Sequence, residues 1–372
     1  MVHKQVNNSF RIVCSLGLLG LTLIASSCGL TAASPAPVAM DVVMKTIHDY
    51  GLDHSGPLSP GSSTKPDETD DLYRAHISNL VAQEDFAQLE KIAQQNRTEK
   101  GRLIGGLWKN YEFFLAADYP ISDGGPKDSD YRHLIERVKK WIAAYPESAA
   151  AHIALADLYT HYASFGRGPG FADSVTDSQW QLFHERTALA KQFLLEAARL
   201  KERDPQWYAV MQQVAHHEGW DKTETRELLS QAVAFEPGYY HFYRNYAEYL
   251  LPQWYGEPGD IQAFAEEISG RLPEPDSSIL YFQIVSSLAC YCKQAKVDLP
   301  HVFWPKIRQG YTNLTRLYGT TNLIANRFAF IATTFKDKPC AHEAFASIVA
   351  MDLGIWYTKD IFDNSRDWAN SP

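Results

Sequence analysis

Two loops rich in glycine and proline carry the side chains of this chain that are best suited to binding a ligand. The first loop, residues 165–177, surrounds Arg167 with Gly166, Gly168 and Gly170. A guanidinium in a tight turn can clamp a carboxylate or phosphate, because it presents a planar fork of donors. The alternative is an internal bridge that pins the loop to nearby helices. No Gly-Lys-Ser/Thr follows and no strand precedes it, so this is not a phosphate-binding loop.

The second loop, residues 252–260, contains two large amphipathic side chains suited to lining a binding groove. Trp254 has a structural alternative, in which its ring plugs the core beneath the loop. Asp260 is placed to cap a helix that begins at the next residue. The candidate binding residues are therefore Arg167, Trp254, Tyr255, Glu257 and Asp260.

The adjacent residues His216 and His217 raise the question of a metal site. Neighbouring side chains on a helix point about 100° apart, so the two rings do not converge on one ion. The zinc-protease spacing, two histidines four residues apart with an intervening glutamate, is missing. The sequence also has no Gly-x-Ser-x-Gly and no Cys/His pair at a recognisable spacing. We therefore predict no metal, no cofactor and no enzymatic activity.

The N-terminus has the pattern of an export signal. Lys4 and Arg11 precede an apolar run that is too short to span a bilayer and is followed by small residues. The segment Ile24-Ala25-Ser26-Ser27-Cys28 resembles the lipobox of bacterial lipoproteins. That resemblance implies that residues 1–27 are a signal peptide and that Cys28 carries the lipid. The alternative is an ordinary secretory signal with an incidental Cys28.

A lipoprotein of this kind would face the periplasm. Gly29 follows the cysteine, where an inner-membrane retention signal more often has Asp, so the outer membrane is favoured. Residues 28–70 are rich in Pro, Ser, Ala and Gly and are expected to form a flexible tether. Without residues 1–27 the chain has 33 basic residues (35 less two) against 44 acidic ones, a net charge of −11. No basic cluster stands out, which argues against a nucleic-acid partner.

Three further cysteines lie beyond the tether. Cys290 and Cys292 are two residues apart on a predicted helix, so they cannot easily clamp one metal. One disulfide to Cys340 is possible in an oxidising periplasm, and buried free thiols are the alternative.

From residue 71 to the C-terminus the apolar pattern is helical, and prolines fall where helices should end. The predicted helices are 72–82, 86–95, 103–117, 131–144, 149–163, 178–201, 206–218, 223–235, 239–251, 261–269, 277–293, 302–318, 322–335 and 341–351.

A repeated pattern links three of these helices. A proline is followed nine residues later by a bulky residue and then by alanine, at Pro146, Pro205 and Pro237. The last two prolines are 32 residues apart, and Pro273 follows 36 residues later, close to the 34-residue tetratricopeptide period. We predict an all-α, tetratricopeptide-like solenoid of antiparallel helical hairpins. A non-repeating helical bundle is the alternative.

Several motifs resemble an uncharacterised bacterial family known only as a domain of unknown function. They include Asp85-Phe86-Ala87-Gln88-Leu89-Glu90, Gly106-Leu107-Trp108-Lys109 and, most distinctively, Leu251-Pro252-Gln253-Trp254-Tyr255-Gly256 followed by Gly259-Asp260. The resemblance covers roughly residues 80–270. It implies a helical, often exported protein with no established activity. The helices of residues 277–351 either continue the array or cap it.

These patterns predict a lipid-anchored helical-repeat protein that binds an unknown protein or peptide partner. The alternative is an envelope enzyme or small-molecule-binding protein that uses loops 165–177 and 252–260.

Overall fold

The computed structural model describes residues 68–120, 125–170, 172–288 and 302–372. The predicted signal peptide and most of the tether, with Cys28, lie outside these ranges, as do Cys290 and Cys292. None of the described helices is both long and apolar enough to span a membrane. The helices are α1 (Asp70–Ala82), α2 (Phe86–Glu99), α3 (Lys109–Asp118), α4 (Asp128–Ala144), α5 (Ala149–Arg167), α6 (Asp177–Ala198), α7 (Gln206–Glu218), α8 (Lys222–Phe235), α9 (His241–Tyr249), α10 (Asp260–Ser269), α11 (Asp276–Leu288), α12 (Trp304–Tyr318), α13 (Asn322–Thr334), α14 (Lys338–Ala346), α15 (Leu353–Trp356) and α16 (Lys359–Asn370).

The odd-numbered helices form one continuous row. Helix α1 contacts α3, and each odd-numbered helix from α3 to α11 contacts the next one along the row. Even-numbered helices pack against this row, as in the pairs α5–α6, α7–α8, α11–α12 and α13–α14. This is the packing of a helical-repeat array, and the predicted all-α fold class is confirmed.

The repeated bulky residue and alanine lie at equivalent places in this row. Leu155-Ala156, Val214-Ala215 and Tyr246-Ala247 lie on α5, α7 and α9, and all six side chains are buried. Alanine lets a neighbouring helix approach closely, while the large residue fills the groove beside it.

Local caps explain where α7 and α8 begin and end. Helix α7 follows Pro205 and ends at Gly219, whose φ of 71° is in the left-handed region that favours glycine. Helix α8 begins with the predicted capping box. The Asp221 carboxylate accepts the backbone N–H of Glu224 at 2.9 Å, and the Glu224 carboxylate accepts that of Asp221 at 3.0 Å.

Helix α5 lies at the centre of the N-terminal half. Every residue from Ala149 to Ala163 is buried except His161. It packs along α6 and also contacts α3, α4 and α7. Its many alanines allow this crowding, because a helix surrounded on all sides must keep its side chains small.

Along the row of odd-numbered helices, residues that are far apart in the sequence contact each other. The ring of Tyr111 on α3 stacks on His241 at the start of α9, with centroids 3.4 Å apart. Residues 102–108, here called the closure loop, reach further. The N–H of Gly105 donates to the carbonyl of Tyr318 at 2.9 Å, and the indole N–H of Trp108 donates to the carbonyl of Gly238 at 2.9 Å. These contacts join α3 and the closure loop to residues that follow them by more than 120 positions in the sequence.

Several predicted boundaries are wrong, and three of the differences bear on the fold. Helix α3 begins at Lys109 rather than at residue 103, because Gly105 and Gly106 have φ angles of 84° and 76° and form the closure loop. Helix α5 continues to Arg167, into the segment that was expected to be a loop. The last predicted helix, 341–351, corresponds to α14, which ends at Ala346, and two further helices, α15 and α16, follow and pack against α13 and α14.

Cys340 lies near the start of α14 and is half-buried. Burial and the neighbouring Asp337 carboxylate raise the pKa of its thiol to about 11, so the thiol is protonated and unreactive at neutral pH. Its predicted disulfide involves a partner outside the described residues.

Candidate functional site

The loop of residues 252–260 packs against the C-terminal end of α7. The ring of Trp254 lies edge-on to His216, with centroids 4.8 Å apart. The hydroxyl of Tyr255 donates to the backbone carbonyl of His216 at 3.1 Å, and its ring stacks on Tyr249 at 4.7 Å. These contacts fix both aromatic side chains relative to α7 and α9.

Both aromatic side chains nevertheless remain open to solvent. Trp254 is 41% exposed and Tyr255 is 37% exposed. Trp254 therefore does not plug the core beneath its loop. Large rings that are held in place yet half open are the kind of residue that anchors a binding partner, because they lose little side-chain entropy on contact.

Arg167 adopts the internal role that was the alternative for it. Its Nη1 donates to the carbonyls of Gly168 at 3.2 Å and Gly170 at 3.0 Å, and its guanidinium lies 5.2 Å from the centre of the Trp180 ring. These contacts pin the loop of residues 165–177 to the start of α6. The hydrogen bonds of Arg167 are thus committed to its own loop and not to Glu257 or Asp260.

Contacts of Asp260 with Glu257 and Lys222 stabilise the second loop. Asp260 was predicted to cap α10, but it is the first residue of that helix. The N-cap is Gly259, whose φ is 96°. The Asp260 carboxylate accepts the backbone N–H of Glu257 at 2.9 Å and pairs with the ammonium of Lys222 at 2.9 Å. The Glu257 residue is itself exposed.

The two loops are connected by a chain of ring contacts. The ring centroids of Trp180 and Phe183 are 5.6 Å apart, and those of Phe183 and His217 are 4.7 Å apart. The ring centroid of His217 is 6.5 Å from that of His216, and His216 in turn packs against Trp254. We call this surface the loop edge. It consists of the ring contacts from Trp180 to Trp254 and of the exposed side chains beside them, Phe165, Leu182 and Tyr255. The sequence predicted its two loops but not the histidines that join them. The signal was present, since His216 and His217 occupy the end of α7 between the two loops.

His217 also has polar partners in an order that resembles a nucleophile and its base. Its Nε2 lies 3.3 Å from the Ser164 hydroxyl, and its Nδ1 lies 3.3 Å from the Thr187 hydroxyl. Thr187 donates its own proton to the carbonyl of Phe183 at 2.8 Å, so it can only accept from Nδ1–H. Nε2 is then unprotonated, and its lone pair faces the Ser164 hydroxyl.

The electrostatics of this histidine do not suit a general base. Burial, with the charges of His216, His161 and Arg167, lowers the pKa of His217 to about 3. A base of that strength holds a proton poorly at neutral pH, and Thr187 supplies no negative charge to stabilise an imidazolium. The hydrogen bonds of His217 are better explained as the link between α5, α6 and α7.

A buried ionic group on α3 and α5 had no counterpart in the sequence analysis. His161 Nδ1 lies 3.5 Å from Asp118 Oδ1, and its Nε2 lies 3.9 Å from Asp157 Oδ1. Burial favours the neutral imidazole, but the two carboxylates outweigh it and raise the pKa of His161 to about 9. Burial and the Asp157 charge raise the pKa of Asp118 well above its usual range. In the described parts of the chain, no three or more metal-ligating side chains are arranged to hold an ion.

A cleft of about 280 Å³ lies near the N-terminal end of α7, away from the loop edge, where α2 ends and α3 begins. The turn before α7 and the end of α8 complete it. Its lining comes from four separate segments, which is why no local pattern in the sequence predicted it.

One comparison with known families bears on these sites. Residues 73–222 match the family model of DUF4034, a domain of unknown function. The chain is similar to this family over these residues, which run from α1 to the first residue of α8, and the match confirms the resemblance to an uncharacterised family. It includes the loop of residues 165–177 and most of the cleft, whereas the motif of residues 251–260 lies beyond it. No curated protein and no solved structure matches the chain.

Proposed function

We propose that this protein is a lipid-anchored envelope protein that binds a protein or peptide partner through the loop edge. The observation that carries the proposal is the half-open pair Trp254 and Tyr255, which is fixed against His216 beside a second loop. Fixed aromatic rings with a polar rim are the usual anchors of protein interfaces.

The loop edge has further apolar surface at its other end. Phe165 is 37% exposed and Leu182 is 40% exposed. Gly166 allows α5 and α6 to approach closely there, since a Cβ at that position would overlap the guanidinium of Arg186 and contact the Cβ of Leu182 at 3.6 Å. An elongated row of apolar side chains suits a segment of polypeptide, which offers several side chains in sequence.

The alternative function is an enzyme or small-molecule-binding protein that uses the same two loops. That function needs Arg167 to face the ligand, but its Nη1 donors are directed to Gly168 and Gly170. Asp260 is likewise committed to Lys222. Peptide binding needs only the exposed rings and is therefore preferred.

Capture from intact envelopes tests the proposal when wild type and variants are compared. We expect a protein that is retained by wild type to be lost with Trp254→Ser, because truncation of an anchor residue weakens binding by about 2 kcal/mol, roughly 30-fold. The matched control is Leu353→Ser on α15, where the side chain is 43% exposed far along the chain. Identical capture by all three proteins would contradict the assignment of the loop edge.

The anchor has a separate test. In cells that process lipoproteins, Cys28→Ser should move the protein from the membrane fraction to the soluble envelope fraction. Each buried methylene of an acyl chain contributes about 0.8 kcal/mol, so removal of the acyl chains removes the basis of membrane association. Retention of the variant in the membrane fraction would contradict lipidation at Cys28.

A further inference from the structure

The loop edge has exposed carboxylates beside its apolar side chains. Glu257 comes shortly after Trp254 in the same loop, and its side chain is exposed. Glu185 follows Leu182 by one turn of α6, so these two exposed side chains share one face of the helix. Asp173, in the short helical turn before α6, is exposed as well. Negative charge therefore lies near both ends of the loop edge.

These carboxylates keep their charge uncompensated by close cations. Within the part of the chain that the structure describes, neither Asp173, Glu185 nor Glu257 forms an ion pair. Glu185 Oε1 accepts a hydrogen bond from Gln181 Nε2 at 2.8 Å, but an amide is neutral and leaves the negative charge in place. Exposed charges of this kind are available to a partner of opposite sign, because no existing pair has to be broken first.

The cations nearest to these carboxylates are engaged elsewhere. The Nη1 of Arg167 donates to two carbonyls of its own loop, at 3.2 and 3.0 Å. Arg186 is buried and donates to a backbone carbonyl of α5 at 2.7 Å. Lys222 pairs with Asp260 at 2.9 Å, and the charge of Glu257 acts on the same ammonium, so two carboxylates share one cation. A partner of the loop edge therefore meets an excess of negative charge.

The half-open rings favour a cation for a second reason. The face of a Trp or Tyr ring attracts an ammonium or guanidinium group, and Trp254 and Tyr255 are 41% and 37% exposed. The neighbouring loop already contains such a contact, since the guanidinium of Arg167 lies 5.2 Å from the centre of the Trp180 ring. An acidic segment would gain nothing from the rings and would be repelled by the carboxylates.

We propose that the partner segment of the loop edge is a basic peptide, in which Lys or Arg residues lie beside bulky apolar residues. This inference rests on the proposed function, because it names the chemistry of the segment that the loop edge binds. The apolar side chains of the segment pack on Trp254, Tyr255 and Leu182, and its cations lie near Glu185 and Glu257. The apolar contacts supply most of the affinity, and the charges select the partner.

Selection from a phage-displayed library of short random peptides on the purified full-length protein tests this proposal. A parallel selection on Trp254→Ser identifies the peptides that depend on the loop edge. We expect those peptides to be enriched in Lys and Arg beside aromatic or aliphatic residues. Neutral or acidic peptides that require Trp254 would overturn the basic partner but would still support the loop edge as a binding surface. The absence of any peptide that requires Trp254 would overturn both this inference and the proposed function.

Charge variants then test the carboxylates with a selected peptide that carries a fluorescent label. The double variant Glu185→Gln, Glu257→Gln keeps the side-chain shapes and should weaken binding about three- to tenfold in anisotropy titrations, as expected for two exposed ion pairs. Added salt should weaken binding to wild type more than binding to this variant. The matched control is Glu343→Gln, Asp360→Asn, which removes two exposed carboxylates from α14 and α16. Thermal melts report folding. Equal affinity of the double variant and the control would overturn the role of the carboxylates.

Discussion

Replacement of Trp108 by alanine should destabilise the whole array, because this residue fastens the closure loop. Trp108 is 3% exposed. The guanidinium of Arg102 lies 3.4 Å above its ring, Tyr239 packs edge-on at 4.9 Å, and its indole N–H bonds to Gly238. Truncation of a buried Trp or Phe to alanine lowers the free energy of unfolding by about 3–5 kcal/mol. The upper part of that range is expected here, since the carbonyl of Gly238 also loses its donor.

A second substitution separates packing from hydrogen bonding. Trp108→Phe keeps most of the ring under Arg102 but removes the indole N–H, so it should cost about 0.5–1.5 kcal/mol. Urea unfolding followed by helical circular dichroism gives both values. Hydrogen exchange at the ends of α12 and α13 gives a local readout, because the closure loop contacts Tyr318 there through Gly105.

The control is Trp254→Ala, which removes the same side chain from a site that is 41% exposed. Its cost should be below about 1 kcal/mol. The reasoning about closure is refuted if Trp108→Ala costs as little as this control. It is also refuted if Trp108→Ala leaves exchange protection near Tyr318 unchanged.

Three other predictions follow from local contacts. Asp221→Ala removes the cap of α8 and should lower the unfolding free energy by about 1 kcal/mol in urea titrations. Lys191→Met leaves Glu218 without the ammonium at 2.8 Å and should cost about 3 kcal/mol, much of which Glu218→Gln should restore in the double variant. His216 and His217 have pKa values lowered by burial to about 4 and about 3, below the unfolded value of about 6.5. At these two positions the unfolded state therefore binds more protons below pH 6.5, so their contribution to stability should fall as the pH drops from 6.5 to 4, by up to about 1.4 kcal/mol per pH unit for each histidine. Buried carboxyls act in the opposite direction, since burial raises the pKa of Glu112 to about 7, so the test compares wild type with the double variant His216→Asn, His217→Asn. A difference in urea midpoint between the two proteins that does not change between pH 6.5 and 5 would contradict this.

The sequence predicted helices whose ends are set locally. For α7, the residues Gln206–Glu218 were predicted correctly, because Pro205 and Gly219 mark its ends without help from the rest of the chain. The start of α3 was mispredicted for the opposite reason. Gly105 needs its positive φ and its lack of a Cβ to fit against distant residues, since a Cβ there would lie 2.8 Å from Ile324 Cδ1. No local pattern contains that requirement.

The candidate functional sites also show this difference between features that are set locally and features that depend on distant residues. The composition of the two loops identified Trp254 and Arg167, but it did not tell which one faces solvent. That depended on Gly168 and Gly170 offering their carbonyls to Arg167, and on His216 lying under Trp254. The cleft was not predicted at all, because its lining residues come together only when α2, α3, the turn before α7 and the end of α8 meet.

The closure contacts also extend beyond the residues that match DUF4034. Residues 73–222 contain Trp108 and Gln206, and each of them has one hydrogen-bond partner beyond that range. Trp108 bonds to Gly238, and the hydroxyl of Tyr239 donates to Gln206 Oε1 at 2.7 Å. A chain ending at residue 222 would leave the indole and the buried amide without these partners and would expose the face of α7 that packs on α9. The matched segment is therefore part of a larger folding unit, and the C-terminal repeats complete both its core and its cleft.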